Sequence, residues 1–329
     1  MDPSQDDFPT SLTIKNDHHH ELRYGENPHQ TASLYVDPNI QEANVVTAVQ
    51  LNPDAKELSY NNYNDSDGAL NLIKEFKNPA AAVIKHTNPA GCATAKTISE
   101  AYAKALSTDP MSAFGGVVAL NQECDIKTAE QIVSSFKEVV VAPSYTEDSL
   151  TILRTKKNLR ILSVGELNSP SVTLIEKPII GGRLIQQRDL SSLSSADLDI
   201  VTKIEPTPSQ IETMLFAWKV VKHVKSNAIV FATGTETVGI GMGQVSRVDA
   251  VRLASIKAIE HSENKTTQGA IMASDAFFPF PDALEKAAEV GISAVIQPGG
   301  SINDDTVIEA ANDLGISMVF TGTRCFKHD

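Results

Sequence analysis

Between residues 67 and 143 the chain alternates helical and apolar-run segments, and that alternation constrains the fold more than any other feature. Asp67–Phe76 (DGALNLIKEF) spaces Leu70, Ile73 and Phe76 at helical intervals, and the short apolar run AAAVI follows. Thr97-Ile-Ser-Glu100 has the form of a capping box opening a helix through Leu106. GGVVAL, TAEQIVSSF and EVVVAP continue as strand, helix and strand. Strands separated by helices of about ten residues predict an α/β fold, a mostly parallel sheet with crossovers.

The pattern resumes after the polar, turn-rich stretch QQRDLSSLSSADLD (186–199), the best place for a domain boundary. We expect an arm or linker over residues 1–20, a first unit over 21–195 and a second over 196–329. Ser209–Lys222 predicts an amphipathic helix through Ile211, Leu215, Phe216 and Val220. AIVFATG and TVGIGMG read as two strands around a turn, and SRVDAVRLASIKAIEH as one long helix. DALEKAAEVGISAVIQPGG and DTVIEAANDLGISMVFTGT each give helix, glycine cap and strand, a unit repeated twice. Parallel sheets bind ligands at the C-terminal ends of their strands, which directs attention to those Gly/Ser/Thr-rich tips.

The formal charge is −13, and a field of that sign repels nucleic acid and anionic membrane, so neither is an expected partner. An anionic ligand must then be met by a local cluster of cations. No apolar run approaches the roughly 18 residues of a membrane span. The opening MDPSQDDFPTSL is acidic and polar, unlike a secretory signal, so the expected location is cytoplasmic. Cys92, Cys124 and Cys325 are odd in number and far apart, which argues against a disulfide framework and a cysteine zinc site. His18-His19-His20 could hold a metal, although three imidazoles in a polar tail are more often only solvated.

Lys85-His86 ends the AAAVI strand, before Asn-Pro-Ala-Gly, which reads as a turn leading to a helix. A salt-bridged Lys beside a structural His is the bland reading. At a strand tip, however, an ammonium disfavours a second positive charge on the adjacent ring and leaves it able to accept a proton. The Lys can meanwhile stabilise charge developing on a carbonyl oxygen. Such a pair suits acyl-type transfer to a nitrogen or oxygen nucleophile. No Gly-x-Ser-x-Gly elbow or P-loop is present, and Gly239-Ile-Gly241-Met-Gly243 lies within a strand pair, against a dinucleotide fingerprint. Three further segments are candidates: Arg23–Gln30 (RYGENPHQ), Ser112–Gly116 (SAFGG) and Ala276–Asp282 (AFFPFPD). The last is either a slot for an aromatic ligand or a core-packing cluster. Arg324-Cys-Phe326-Lys-His328 ends the sequence.

Taken in order, KHTNPAG, SAFGG, KSNAI, GxGMGQVSR, ASDAFFPFPD, PGGS and the terminal R-x-F-x-H resemble the transformylase part of bifunctional purine-biosynthesis enzymes. That part is a 5-aminoimidazole-4-carboxamide ribonucleotide (AICAR) formyltransferase. The resemblance runs from LRYGENPHQ to His328, with no room for the family's N-terminal IMP cyclohydrolase domain, so a standalone transformylase is expected. ENKTTQ, before ASDAFFPF, is shorter than the family's connection.

The resemblance implies two cytidine-deaminase-like α/β/α domains without zinc, working as a homodimer with active sites between subunits. It implies formyl transfer from the co-substrate 10-formyltetrahydrofolate to the 5-amine of AICAR, with no metal required. By resemblance, Lys85 and His86 are the catalytic pair and Asn227 positions the formyl group. Arg23, Tyr24 and Arg324 contact the nucleotide phosphate, where an Arg fork fits oxygens bidentately. Asn62, Gly115, Glu138 and Phe326 line the nucleotide pocket, with Phe114 among the substrate contacts. Arg247, Phe277, Phe280, Asp282 and Ser301 surround the pteridine and reacting centre, and His328 closes the site. A nucleotide-binding regulator that keeps the AICAR pocket without turnover is the second reading. Formyl transfer from formate and ATP is the third, and lacks an ATP motif.

Overall fold

The computed structural model describes residues 8–168 and 174–328; the first seven residues of the expected arm lie outside them. A ribbon of β1 (Asp17–Leu22) and β2 (Ala32–Val36) comes first, so the end of that arm is strand rather than linker. β3 (Val49–Gln50) leads to α1 (Tyr60–Ile73), β4 (Ala80–Lys85) and β5 (Asn88–Thr94). Then follow α2 (Ile98–Leu106), β6 (Val117–Leu120), α3 (Ile126–Val133), β7 (Val139–Ala142), α4 (Glu147–Leu153) and β8 (Arg160–Ser163). A second ribbon, β9 (Leu174–Ile179) with β10 (Gly182–Gln187), separates this half from the next. The second half runs β11 (Asp199–Ile200), α5 (Pro208–Val221), β12 (Ile229–Thr233), β13 (Glu236–Gly241) and α6 (Arg247–Ile256). It ends with β14 (Ile271–Ser274), α7 (Asp282–Glu289), β15 (Ala294–Gln297), α8 (Asp304–Asp313) and β16 (Ser317–Phe320).

Side-chain caps set many of these helix starts. Ser59, Thr97, Asp125, Thr146, Thr207 and Ser246 each accept a backbone N–H from the first turn, an interaction worth about 1 kcal/mol apiece. The Ser59 cap starts α1 seven residues before the expected Asp67, in sequence too polar to show apolar periodicity. At Thr97 the cap forms, but no return bond from Glu100 completes the expected box. The long helix expected over 246–261 divides: α6 ends at Ile256 and a π-helical turn, Lys257–His261, follows.

One 12-stranded sheet runs through both halves, in the order β11-β16-β15-β14-β12-β13-β5-β4-β6-β7-β8-β3. It is mixed, not mostly parallel. Outward from the central β5/β13 contact, each half repeats one pairing scheme. An antiparallel hairpin (β4–β5, β12–β13) is followed by an antiparallel neighbour (β6, β14). Two parallel strands come next (β7 and β8, β15 and β16), then a short antiparallel edge (β3, β11).

Alternate residues of the inner strands face opposite layers, both buried, so β4, β6, β7, β14 and β15 read as continuous apolar runs. Ala82, Ile84, Val230 and Ala273 pack under α1 and α5 in one cluster that spans both halves. On the other face Ala81, Val83 and Val118 pack under α2, α3 and α4, and Phe231, Met272 and Val295 under α6, α7 and α8. No helix among the described residues is long and apolar enough to cross a membrane.

The β5/β13 contact is antiparallel, pairing Glu236 with Ala93, so the two halves run in opposite senses. The N-terminal ends of β6, β7 and β8 therefore share one rim of the sheet with the C-terminal ends of β14, β15 and β16. The expectation that ligand-facing tips are C-terminal strand ends fits the second half. In the first half the inversion brings N-terminal ends to that rim.

Candidate functional site

The β4–β5 hairpin carries the catalytic candidates to this rim. Asn-Pro-Ala-Gly is not a turn before a helix, as expected, but the start of β5; the turn is His86-Thr87, with φ of 53° and 61°. Two consecutive left-handed residues make the two-residue turn that matches strand twist. Neither is glycine, and Asp65 offsets the strain: its carboxylate accepts Thr87 N–H at 2.7 Å and His86 N–H at 3.3 Å. Burial pushes the Asp65 carboxyl above its usual range, against the opposing pull of those N–H groups. Pro89 is tolerated in β5 because the register slips between Val83 and Ile84, and bulges accept proline.

His86 itself is exposed on the turn. Lys85 Nζ donates to the Phe114 carbonyl at 2.8 Å, which places SAFGG beside the Lys85-His86 turn. Gly115, at φ 72°, donates to Phe136 O at 2.9 Å, and the Phe114 and Phe136 rings lie 5.5 Å apart. A Cβ on Gly116 would meet Ile84 O at 2.8 Å, so a glycine is needed where the loop enters β6.

Asn62, in the first turn of α1, donates to Glu138 Oε2 at 2.7 Å at the mouth of β7. Arg23 donates to the Tyr24 hydroxyl at 2.9 Å and stacks over its ring at 4.7 Å. Arg160, at the start of β8, completes this corner. Its guanidinium is lowered by burial, with the charge of Glu138 opposing and Arg23 adding to the effect. Arg160, Asn62 and Glu138 thus put a guanidinium and a hydrogen-bonded amide–carboxylate pair at this corner, with the exposed Arg23 near enough for its charge to act on Arg160.

The second half supplies the facing wall. Asn227 donates to Gln244 O through its backbone at 3.0 Å and its amide at 2.8 Å, locking KSNAI to the GMGQ loop. Asp275, fully buried after β14, is the node of this wall. It accepts the Ser226 hydroxyl, the Arg247 guanidinium and, at 3.1 Å, Ala228 N–H. Arg247 therefore lies buried in an ion pair at the start of α6 rather than projecting from the rim. The C-terminal tail closes over the node: Cys325 N–H reaches Asp275 O at 3.0 Å, and Ser226 and Lys327 exchange bonds at 2.9 and 3.1 Å. Arg324 stacks over Phe326 at 4.8 Å, and Phe326 lies edge-on to His328 at 5.3 Å. Both walls meet where Asn88 Oδ1, two residues past His86, accepts Lys225 N–H at 3.0 Å.

The AFFPFPD segment divides its aromatics. Phe278 is buried in the core of the second half, whereas Phe277 and Phe280 are exposed. Asn303 ties this segment to PGGS: its amide donates to Pro279 O at 2.8 Å and its backbone N–H donates to Ser301 Oγ at 3.1 Å. Asp282 begins α7. These three groups lie along the same rim, but no hydrogen bond or ion pair among the described residues joins Phe277, Phe280, Asp282 or Ser301 to the Lys85-His86 turn. The same holds for Arg23 and Arg324.

Sequence reasoning missed Asp65, Arg160, Ser226 and Asp275. Asp275 stands inside the quoted ASDAFFPFPD, and Arg160 heads an apolar strand (RILS), which is a readable signal for a rim cation. Asp65 gave none, since its role depends on a turn that begins 21 residues away. No group of three or more His, Cys, Asp or Glu side chains able to hold a metal gathers among the described residues. Cys92, Cys124 and Cys325 are free and buried, and burial raises all three thiols, which makes them poor nucleophiles.

A family model described as AICARFT/IMPCHase bienzyme matches residues 1–257. The match takes in the Lys85-His86 turn, SAFGG, KSNAI and Arg247; residues 258–329, with AFFPFPD, PGGS and the tail, lie beyond it. The rim described above joins those later segments to the matched ones through Asp275 and Ser226. With well over half of its length matched, this chain belongs to the AICARFT/IMPCHase bienzyme family of purine-biosynthesis enzymes.

Proposed function

We propose that the chain transfers the formyl group of 10-formyltetrahydrofolate to the 5-amine of AICAR, giving formyl-AICAR and tetrahydrofolate. The observation that carries this reading is the Asn88–Lys225 bond, which seats the Lys85-His86 turn against the Asn227 loop at one rim. The motifs along that rim are those whose resemblance is to the transformylase part of the family, not the cyclohydrolase part. The repeated pairing scheme of the sheet supports two cytidine-deaminase-like α/β/α units, split near residues 195–196. A homodimer with sites between subunits belongs to the same reading.

In this mechanism the exposed His86 ring takes the proton that the 5-amine loses as its nitrogen bonds to the formyl carbon. Lys85 stabilises the negative charge gathering on the formyl oxygen, and the carbon–nitrogen bond to the folate breaks as that nitrogen regains a proton. Asn227, held at Gln244 O, orients the formyl group. Arg23, Tyr24 and Arg324 hold the phosphate, and Asn62, Phe114, Gly115, Glu138 and Phe326 line the nucleotide pocket. Phe277, Phe280, Asp282 and Ser301 frame the pteridine, and His328 closes the site. Arg247 stands behind the reacting centre, with Nη1 of its guanidinium on Asp275.

The test is tetrahydrofolate formation with both substrates present. His86→Ala should lower kcat by about 10²–10⁴-fold, the usual contribution of a general base. Undiminished turnover in that variant, or none in the wild-type chain, would remove the proposal. Tight AICAR binding without turnover would point to the regulator instead.

A further inference from the structure

Lys257 opens the π-helical turn after α6, and π-helical turns are frequent at functional sites. Its ammonium lies 2.6 Å from Asp109 Oδ2 and donates to Ser112 Oγ at 2.8 Å, reaching from the second half into the first. His261, one turn on, sits with Nδ1 3.1 Å from Asp109 Oδ1. Asp109 also accepts Ser112 N–H at 3.0 Å, and its carbonyl accepts Ala113 N–H at 3.0 Å, so the loop coils around this carboxylate. Asp109 is 4% exposed. Burial raises its carboxyl, but the hydrogen bonds from Lys257 and Ser112 outweigh that and hold it below the usual range. The next residue after Ala113 is Phe114, whose carbonyl holds Lys85 Nζ.

We propose that Lys257 is a positioning residue for the reaction, fixing the 109–116 loop through Asp109 and Ser112 so that the Phe114 carbonyl holds the Lys85 ammonium at the rim. This rests on the reading of Lys85 as catalytic. The Gly115 N–H bond to Phe136 O holds the peptide unit that carries the Phe114 carbonyl from its C-terminal side, and the stretch before Phe114 must still be held from the other. A charged anchor from the other half, the half-buried Lys257, does so with no side chain in the site itself. Lys257 matters through Lys85, and the two substitutions must therefore be coupled.

The full chain is compared with Lys257→Met, Lys257→Arg, Lys85→Ala and the Lys85→Ala/Lys257→Met double variant. The first readout needs no turnover: the rate at which trinitrobenzenesulfonate modifies Lys85, resolved by peptide mapping. Lys257→Met should change that rate at least about threefold, and Lys257→Arg, which keeps the charge, should restore it. An unchanged Lys85 rate in Lys257→Met overturns the proposal even if the wild-type chain proves inactive, a result that would count against the proposed function alone. The second readout is kcat, expected to fall about tenfold in Lys257→Met but less than about twofold when added to Lys85→Ala. Fully additive losses would mean a staple between halves and overturn the proposal. Should Lys257→Met fail to fold, Ser112→Ala takes the hydroxyl out of the tether and spares the ion pair; it should shift the Lys85 rate away from the wild-type value, and no shift refutes the tether.

Discussion

Asn121 and Asp275 occupy equivalent places in the two halves, each the first residue past the strand that flanks a hairpin. Asn121 Oδ1 accepts Ala80 N–H at 2.7 Å and its own N–H returns to Ala80 O at 3.1 Å. Asp275 Oδ1 accepts Ala228 N–H at 3.1 Å and its N–H returns to Ala228 O at 3.3 Å. The chemistry then diverges. The Asn121 amide donates to Phe76 O and Asn78 O at 2.9 and 2.8 Å and is finished as a structural clasp. Asp275 instead takes the Ser226 hydroxyl and the Arg247 guanidinium, and only its end of the sheet carries Lys85 and His86.

Asp275→Asn tests that difference, because Asn121 shows that an amide suits the backbone bonds. What the substitution removes is the counter-charge of a buried arginine. Breaking a buried ion pair at one partner costs about 3–5 kcal/mol, and urea unfolding at neutral pH should register a loss of that order. A loss under about 1 kcal/mol would show that Arg247 does not depend on Asp275.

Much of the rim was legible because chemistry-bearing residues cluster at strand ends: Lys85-His86, SAFGG, KSNAI and AFFPFPD all lie where alternation predicted strands to start or stop. The hairpin was not legible. Asn-Pro-Ala-Gly has turn composition, and only the bulge beside Pro89, a tertiary feature, lets it run as strand. The inversion of the halves hangs on a contact as short as Glu236 with Ala93 and the bonds between Thr94 and Thr235, which carry no local signature. The C-terminal echo of helix, glycine and strand was visible. Its counterpart in the first half was not, because α3–β7 and α4–β8 lack the matching GIS.

Asp65→Asn addresses the turn. An amide replaces one of two acceptor oxygens with a donor, facing it toward either His86 N–H or Thr87 N–H. Both amides should exchange hydrogen faster than in wild type, and the turn should lose about 1–2 kcal/mol of local support. Catalysis should fall as well, by about tenfold, through displacement of His86 rather than loss of any substrate contact. Unaltered exchange at residues 86 and 87 would show that the left-handed pair is held by something else.

Gly241 explains part of the glycine run that superficially suggested a dinucleotide loop. A Cβ there would meet Ala250 O at 1.8 Å, so the glycine exists to let α6 lie on β13. Gly91 plays the same part under α2, with Ala105 O at 2.0 Å. Gly241→Ala should destabilise by about 3 kcal/mol or more through overpacking, read as a fall in the denaturant midpoint. Gly182→Ala, with open space around its Cβ, is the control and should change little. Equal effects at both positions would contradict the packing explanation.

Lys137 gives a prediction in pH. It is 4% exposed, donates to Ser135 Oγ at 2.6 Å, and meets no carboxylate in an ion pair among the described residues. Burial lowers its ammonium from 10.5 to about 8. A base depressed in the folded state weakens folding wherever both states are protonated, here below about pH 8. As pH rises from there toward 10.5, the folded chain has shed the proton while the unfolded chain retains it, and the penalty disappears. Lys137→Met should therefore melt at higher temperature than wild type near neutral pH, with the gain shrinking steadily across that alkaline window. Thermal melts at several pH values check it, and a gain that stays constant with pH would mean that packing, not charge, sets the difference.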